Sequence, residues 1–253
     1  MQSKFNGKGL TVLGVTDEGA SETEKWVADK GAKYAYAYDK GGKLARYFGV
    51  RGIPDAVLID ASGAVVWRGH PASLDERTVA SALQGALSKP LWEWSAGAKS
   101  VKSALLKRSY KSAIDQAAKL SVSDGGPEIQ SVIQGMVKSN VDRMRASFEK
   151  GDYLGAQTAA QSLQKELTGL PELAEASKVL ADIAADKSAQ TVMKGQQKLA
   201  KIRGGENTKK KEITAAIESA RKVKQEYPGT YVETEADQMI AQLDELLKGM
   251  KDK

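Results

Sequence analysis

The stretch Gly49 to Asp60, GVRGIPDAVLID, constrains the fold of this chain more than any other. Its Pro54 stands between a short amphipathic run, Leu44 to Phe48, and a compact apolar strand, Ala56 to Ile59. Proline has no N–H to give to a sheet, so it belongs at the start of a strand or on an edge. Asp60-Ala-Ser-Gly63 follows, with aspartate first and glycine fourth, as a type I turn prefers, and then a second strand over Ala64 to Trp67. The stretch reads as a β-hairpin led by a proline.

The elements around it are short and ordered. Leu10 to Val15 is a nearly continuous apolar run, the pattern of a strand covered on both faces. Ser21 to Lys30 reads as a helix, with Ser21 and Glu24 spaced as a capping box and Trp26 and Val27 toward the sheet. Tyr34 to Tyr38 alternates tyrosine and alanine, as an edge strand would. Asp39 to Gly42 is a loop, and Leu44 to Phe48 a short helix. Beyond the hairpin, Asp75 to Leu87 is amphipathic through Val79, Leu83 and Leu87, with Ser73 or Asp75 as its cap.

This series of elements, over roughly residues 5 to 88, resembles the later part of a thioredoxin-like domain. The closest branch is the TlpA-type thiol–disulfide oxidoreductases, with peroxiredoxin-like proteins as relatives. The resemblance implies that the proline of Gly52-Ile53-Pro54 is cis, a state of only about 5–6% of X–Pro bonds in folded proteins. It implies that Gly52, Ile53 and Pro54 contact a substrate chain, and that the protein works in the periplasm or cell envelope.

Thioredoxin-like sheets of this type are built around a first core strand that runs into a helix headed by Cys-x-x-Cys. That strand lies between the counterparts of Leu10–Val15 and Asp55–Asp60. This chain begins at what would be the end of the cysteine-bearing helix. The expected fold is therefore an α/β thioredoxin-like sheet lacking its central first strand, followed by an all-α domain of helical hairpins. Two strands facing an empty slot would leave unpaired backbone groups, each costing roughly 1–3 kcal/mol if buried. Three arrangements avoid that cost: a preceding segment supplies the strand, the two strands pair directly, or a partner chain donates one.

Composition narrows the chemistry. The chain of 253 residues has no cysteine and one histidine, which removes disulfides, Cys-based zinc sites and a thiol nucleophile from these residues. No cofactor and no metal is expected. The formal net charge of +6 is spread among acidic residues, and aromatics make up 6% of the chain, so no nucleic-acid platform is expected. No apolar run approaches the ~20 residues of a membrane helix, and MQSKFNGKG lacks the apolar core of a signal peptide. His70 has no nucleophile to serve and reads as structural.

Beyond Lys99 the sequence turns to Ala, Lys, Gln, Ser and Leu. One spacing recurs: Tyr110, Ala113, Ala117, Leu120; then Tyr153, Ala156, Ala160, Leu163; then Ile213, Ala216, Ala220, Val223. Each set marks one helical face, and each is followed by a break and a second helix starting near Pro127, Pro171 and Thr230. Lys150-Gly-Asp-Tyr153 with its alanines resembles a tetratricopeptide helix. The expected domains are 1–89 (thioredoxin-like), 90–98 (linker) and 99–253 (tetratricopeptide-like), the long helix from Pro171 breaking near Lys194-Gly195.

Two functional expectations follow. In the first, this is a truncated or degenerate TlpA-type protein that binds a protein partner, a thiol protein or another envelope protein, through the cis-proline groove and the helical repeats. In the second, it is an envelope thiol–disulfide oxidoreductase whose Cys-x-x-Cys lies upstream of Met1.

Overall fold

The computed structural model describes residues 1–50, 52–203 and 209–249. The N-terminal α/β region runs α1 (Gln2–Phe5), β1 (Leu13–Thr16), α2 (Ala20–Lys30), β2 (Ala35–Tyr38), α3 (Lys43–Phe48), β3 (Ala56–Ile59), β4 (Val65–Gly69) and α4 (Glu76–Ala82). Helices follow: α5 (Lys99–Leu106), α6 (Tyr110–Ala117), α7 (Gly126–Glu149), α8 (Tyr153–Glu166), α9 (Leu173–Ala185), α10 (Lys187–Arg203), α11 (Lys210–Glu226) and α12 (Tyr231–Gly249).

By contact the chain divides into two compact units, Met1–Lys107 with Ser112–Met136, and Arg108–Lys111 with Val137–Lys253. Residues 90–98, expected as a linker, form two single-turn 3-10 helices, Leu91–Glu93 and Ala96–Ala98. Within the first unit, the carboxylate of Glu128 on α7 accepts hydrogen bonds from the backbone N–H and hydroxyl of Ser88, at 2.6 and 3.1 Å.

Among the described residues, two separate strand pairs make up the β structure. β1 and β2 run parallel, with Leu13 opposite Ala35 and Gly14 opposite Tyr36. β3 and β4 are antiparallel, with Val57 opposite Arg68 and a register irregularity between Leu58 and Ile59. Among the described residues β1 does not pair with β3. The β3–β4 pair shares one core with the segment leading into β1: Phe5, Leu10, Leu58, Val79 and Ala82 are buried there, and Val12 and Trp67 pack against them. The expected burial of β1 on both faces is not met. Leu13 and Val15 are 47% and 48% exposed, and among the described residues β1 has a strand neighbour on one edge only.

Local chemistry explains the elements. Gly14 lets β2 approach: a Cβ there would lie 2.6 Å from the ring of Tyr36. That ring stacks on Tyr34 and meets the edge of Trp26 from α2, at 5.0 and 5.8 Å between centroids. The expected Ser21 cap is replaced by Gly19, whose carbonyl accepts from both the N–H and the hydroxyl of Thr23. Asp75 caps α4 as expected, accepting the Thr78 N–H at 2.8 Å, and the helix ends at Ala82 rather than Leu87. In the hairpin turn, Asp60 Oδ1 accepts from the N–H groups of Ser62 and Ala64, and Gly63 takes a positive φ of 81°.

In the second unit, α8 packs on α9 and α11 on α12, with α10 against all four. The alanine faces lie inside: Ala156, Ala160, Ala216 and Ala220 are buried with Leu163, Ile213 and Val223. The break expected at Lys194-Gly195 falls instead at Asp186, whose extended backbone ends α9 and whose carboxylate accepts the Ser188 N–H at the start of α10. Gly195 lies within α10 because a Cβ there would come within 2.9 Å of Val232 and 3.0 Å of Tyr227. A small residue allows that approach without a chain break.

Candidate functional site

The loop between α3 and β3 carries the residues expected to meet a substrate. α3 closes on Gly49, which takes the left-handed conformation (φ 63°) that only glycine adopts at no steric cost. The Ile53–Pro54 peptide bond is cis. Gly52, Ile53 and Pro54 are all exposed, Ile53 at 92%. Gly52 and Ile53 have no hydrogen-bond partner among the described residues. Ile53 is thus an apolar side chain held almost wholly in water at the tip of this loop.

The tip projects, but its base is fixed. Arg68, on β4, donates to the carbonyls of Phe48 and Gly49, the latter at 2.8 Å, and to Asp55 Oδ2 at 2.6 Å. One guanidinium thus ties both flanks of the loop to the hairpin. The same contact holds the Asp55 carboxyl below the usual carboxylate range, through the hydrogen bond from Arg68 first and its charge second. Sequence reasoning missed this clamp. Its signal was a cation in an otherwise apolar strand, Val65-Val66-Trp67-Arg68.

Behind the loop, Asp39 is buried and accepts the N–H groups of Leu44 and Ala45, both at 3.0 Å, which fixes the start of α3. Those two hydrogen bonds lower its carboxyl pKa. His70 lies past the hairpin with its Nδ1 accepting the Ala72 N–H at 3.2 Å, a local turn contact. The site therefore offers backbone and apolar surface to a ligand, and no nucleophile of its own.

The AhpC/TSA family model matches residues 1–68. No curated protein and no solved structure matches the chain. The match covers β1 to β3, the loop before β3 and most of β4, and it supports the thioredoxin-like superfamily for this region. The chain thus has an N-terminal α/β region, matched by a redoxin-family model, followed by a helical region.

Proposed function

We propose that this chain is a degenerate TlpA-type protein of the cell envelope that binds an extended polypeptide and performs no thiol exchange with its own residues. The observation that carries this reading is the clamped, exposed Ile53–Pro54 loop beside two strand pairs with unjoined edges. An extended segment of a partner would find backbone groups to pair with on β1 and β3 and an apolar contact at Ile53, the logic of strand addition. The helical region, as tetratricopeptide-like hairpins, provides a second binding surface.

Titrating the chain with an octapeptide of alternating valine and threonine, followed by amide exchange, tests this. Protection gained at β1 and β3 amides, and affinity reduced about tenfold (~1.4 kcal/mol) by Ile53→Asp, is expected. Binding that ignores Ile53→Asp, or no binding at millimolar peptide, refutes it.

The unjoined edges of β1 and β3 also favour a second reading, an envelope thiol–disulfide oxidoreductase whose strand and Cys-x-x-Cys lie upstream of Met1. The thiolate is the nucleophile in such exchange, so those cysteines would carry the chemistry. The codons preceding Met1 decide: a strand pattern running into Trp-Cys-x-x-Cys supports the enzyme, and a stop codon refutes it.

A further inference from the structure

α10 carries Lys187, Lys194, Lys198, Lys201 and Arg203, and no aspartate or glutamate. At about 100° per residue, its four lysines fall within an arc of about 60°, and the first and last stand about 21 Å apart along the axis. All four are exposed, and Gln190, Thr191 and Gln197 beside them are exposed too. Val192, Met193 and Leu199 point the other way and are buried. Packing the apolar face of α10 inward therefore leaves a row of amines in solvent.

The carboxylates beside this row do not cancel it. Asp186 is occupied at the start of α10, where it accepts the Ser188 N–H at 2.7 Å. Glu226 on α11 pairs with Lys198, whose amine also lies 5.4 Å from the centre of the Tyr227 ring. Lys187, Lys194 and Lys201 form no ion pair among the described residues. Lys222, one turn before Glu226 on α11, adds a further exposed cation. Lys187, Lys194, Lys198, Lys201 and Lys222 thus outnumber Asp186 and Glu226. The row holds no aromatic side chain on which a base could stack, and no apolar one that could enter a bilayer core.

We propose that this face of α10 docks the protein on the headgroups of an anionic phospholipid bilayer, by charge alone and without insertion. A plane of phosphates meets all the amines of a row on one helix face at once. Each lysine near such a surface strengthens attachment about fivefold, so the three unpaired amines together supply about 150-fold. The choice of a bilayer among polyanions rests on the cell-envelope reading above.

Co-sedimentation of the full chain with sucrose-loaded vesicles tests it, using phosphatidylcholine alone or mixed with phosphatidylglycerol. Binding to the mixed vesicles should exceed binding to the neutral ones by about 150-fold and fall as salt rises. Lys187→Gln, Lys194→Gln and Lys201→Gln together should bring it down to the neutral level, while arginine at the same three positions should keep it. Lys25→Gln, Lys30→Gln and Lys33→Gln remove the same charge from another exposed segment and should leave attachment unchanged. Equal binding to both vesicles, or equal losses in the two glutamine triples, overturns the assignment. Tighter binding of a labelled DNA duplex than of the mixed vesicles overturns it together with the envelope reading. Absence of vesicle binding beside intact octapeptide binding overturns this proposal alone.

Discussion

Gln196 is 1% exposed, and replacing it with leucine is the sharpest test of how the helical unit is held together. Its Oε1 accepts the Leu154 N–H at 2.9 Å and its Nε2 donates to Asp152 Oδ1 at 2.8 Å. Asp152 meanwhile caps α8 by accepting the Gly155 N–H at 3.0 Å. Two side chains from different helices thus share the free donors of one helix start. Leucine preserves the volume but strands the Leu154 N–H, at about 1–3 kcal/mol, and removes a hydrogen bond worth about 0.5–1.5 kcal/mol. A loss of roughly 2–4 kcal/mol follows, which lowers a urea midpoint by about 1–2 M for a slope near 2 kcal/mol/M. Far-UV circular dichroism gives the midpoint, and amide exchange at Leu154 gives the local effect. A double-mutant cycle with Asp152→Ala should show a coupling of about 0.5–3 kcal/mol. A loss under about 0.5 kcal/mol, with additive single mutants and unchanged exchange at Leu154, refutes the account.

Four other outcomes are expected. Gly14→Ala drives a Cβ into the Tyr36 ring and should cost about 1–3 kcal/mol, read by the Trp26 environment and thermal unfolding. Burial first, then Tyr34, pushes the Tyr36 hydroxyl up to about 12, so one tyrosine should ionise last at 295 nm. Because the folded value lies above the ordinary tyrosine value of 10.0, stability should fall between about pH 10 and 12, and less so in Tyr36→Phe. Asp55, lowered by Arg68, contributes stability above the ordinary carboxylate pKa that is lost as pH falls through its lower folded value; Asp55→Asn should flatten that acid limb. Gly195→Ala gains about 1 kcal/mol of helix propensity against a Val232 contact of 2.9 Å, whereas Gly195→Leu adds overpacking alone and should clearly lower the melting temperature.

The hairpin and its turn were legible because each rests on local chemistry, Asp60 and Gly63 in the turn and Pro54 ahead of an apolar strand, whereas the cis state of Pro54 was expected from family resemblance alone. The alanine faces were legible for the same reason, since a 3.6-residue period records burial directly. What escaped was non-local. Leu10 to Val15 reads as doubly buried from its apolar run, yet burial of a strand depends on neighbours that its own residues do not encode. Gly195 looks like a breaker in sequence and is a packing device in space, because its neighbours Tyr227 and Val232 come from distant positions. Arg68 and Gln196 likewise gain their meaning from partners some 20 and 40 residues away in the chain.

The Arg68 clamp has a consequence for protein engineering. The loop tip is positioned by a side chain on the far strand of the hairpin, so residues 52–54 alone are not a transplantable motif. A transplanted segment must run at least from Phe48 to Gly69 to carry its own clasp, and needs an apolar surface to replace the one that Leu58 and Trp67 pack against. A library that randomises the tip for new ligands should leave Gly49, Asp55 and Arg68 untouched, because diversity at the apex is usable only while its base stays locked.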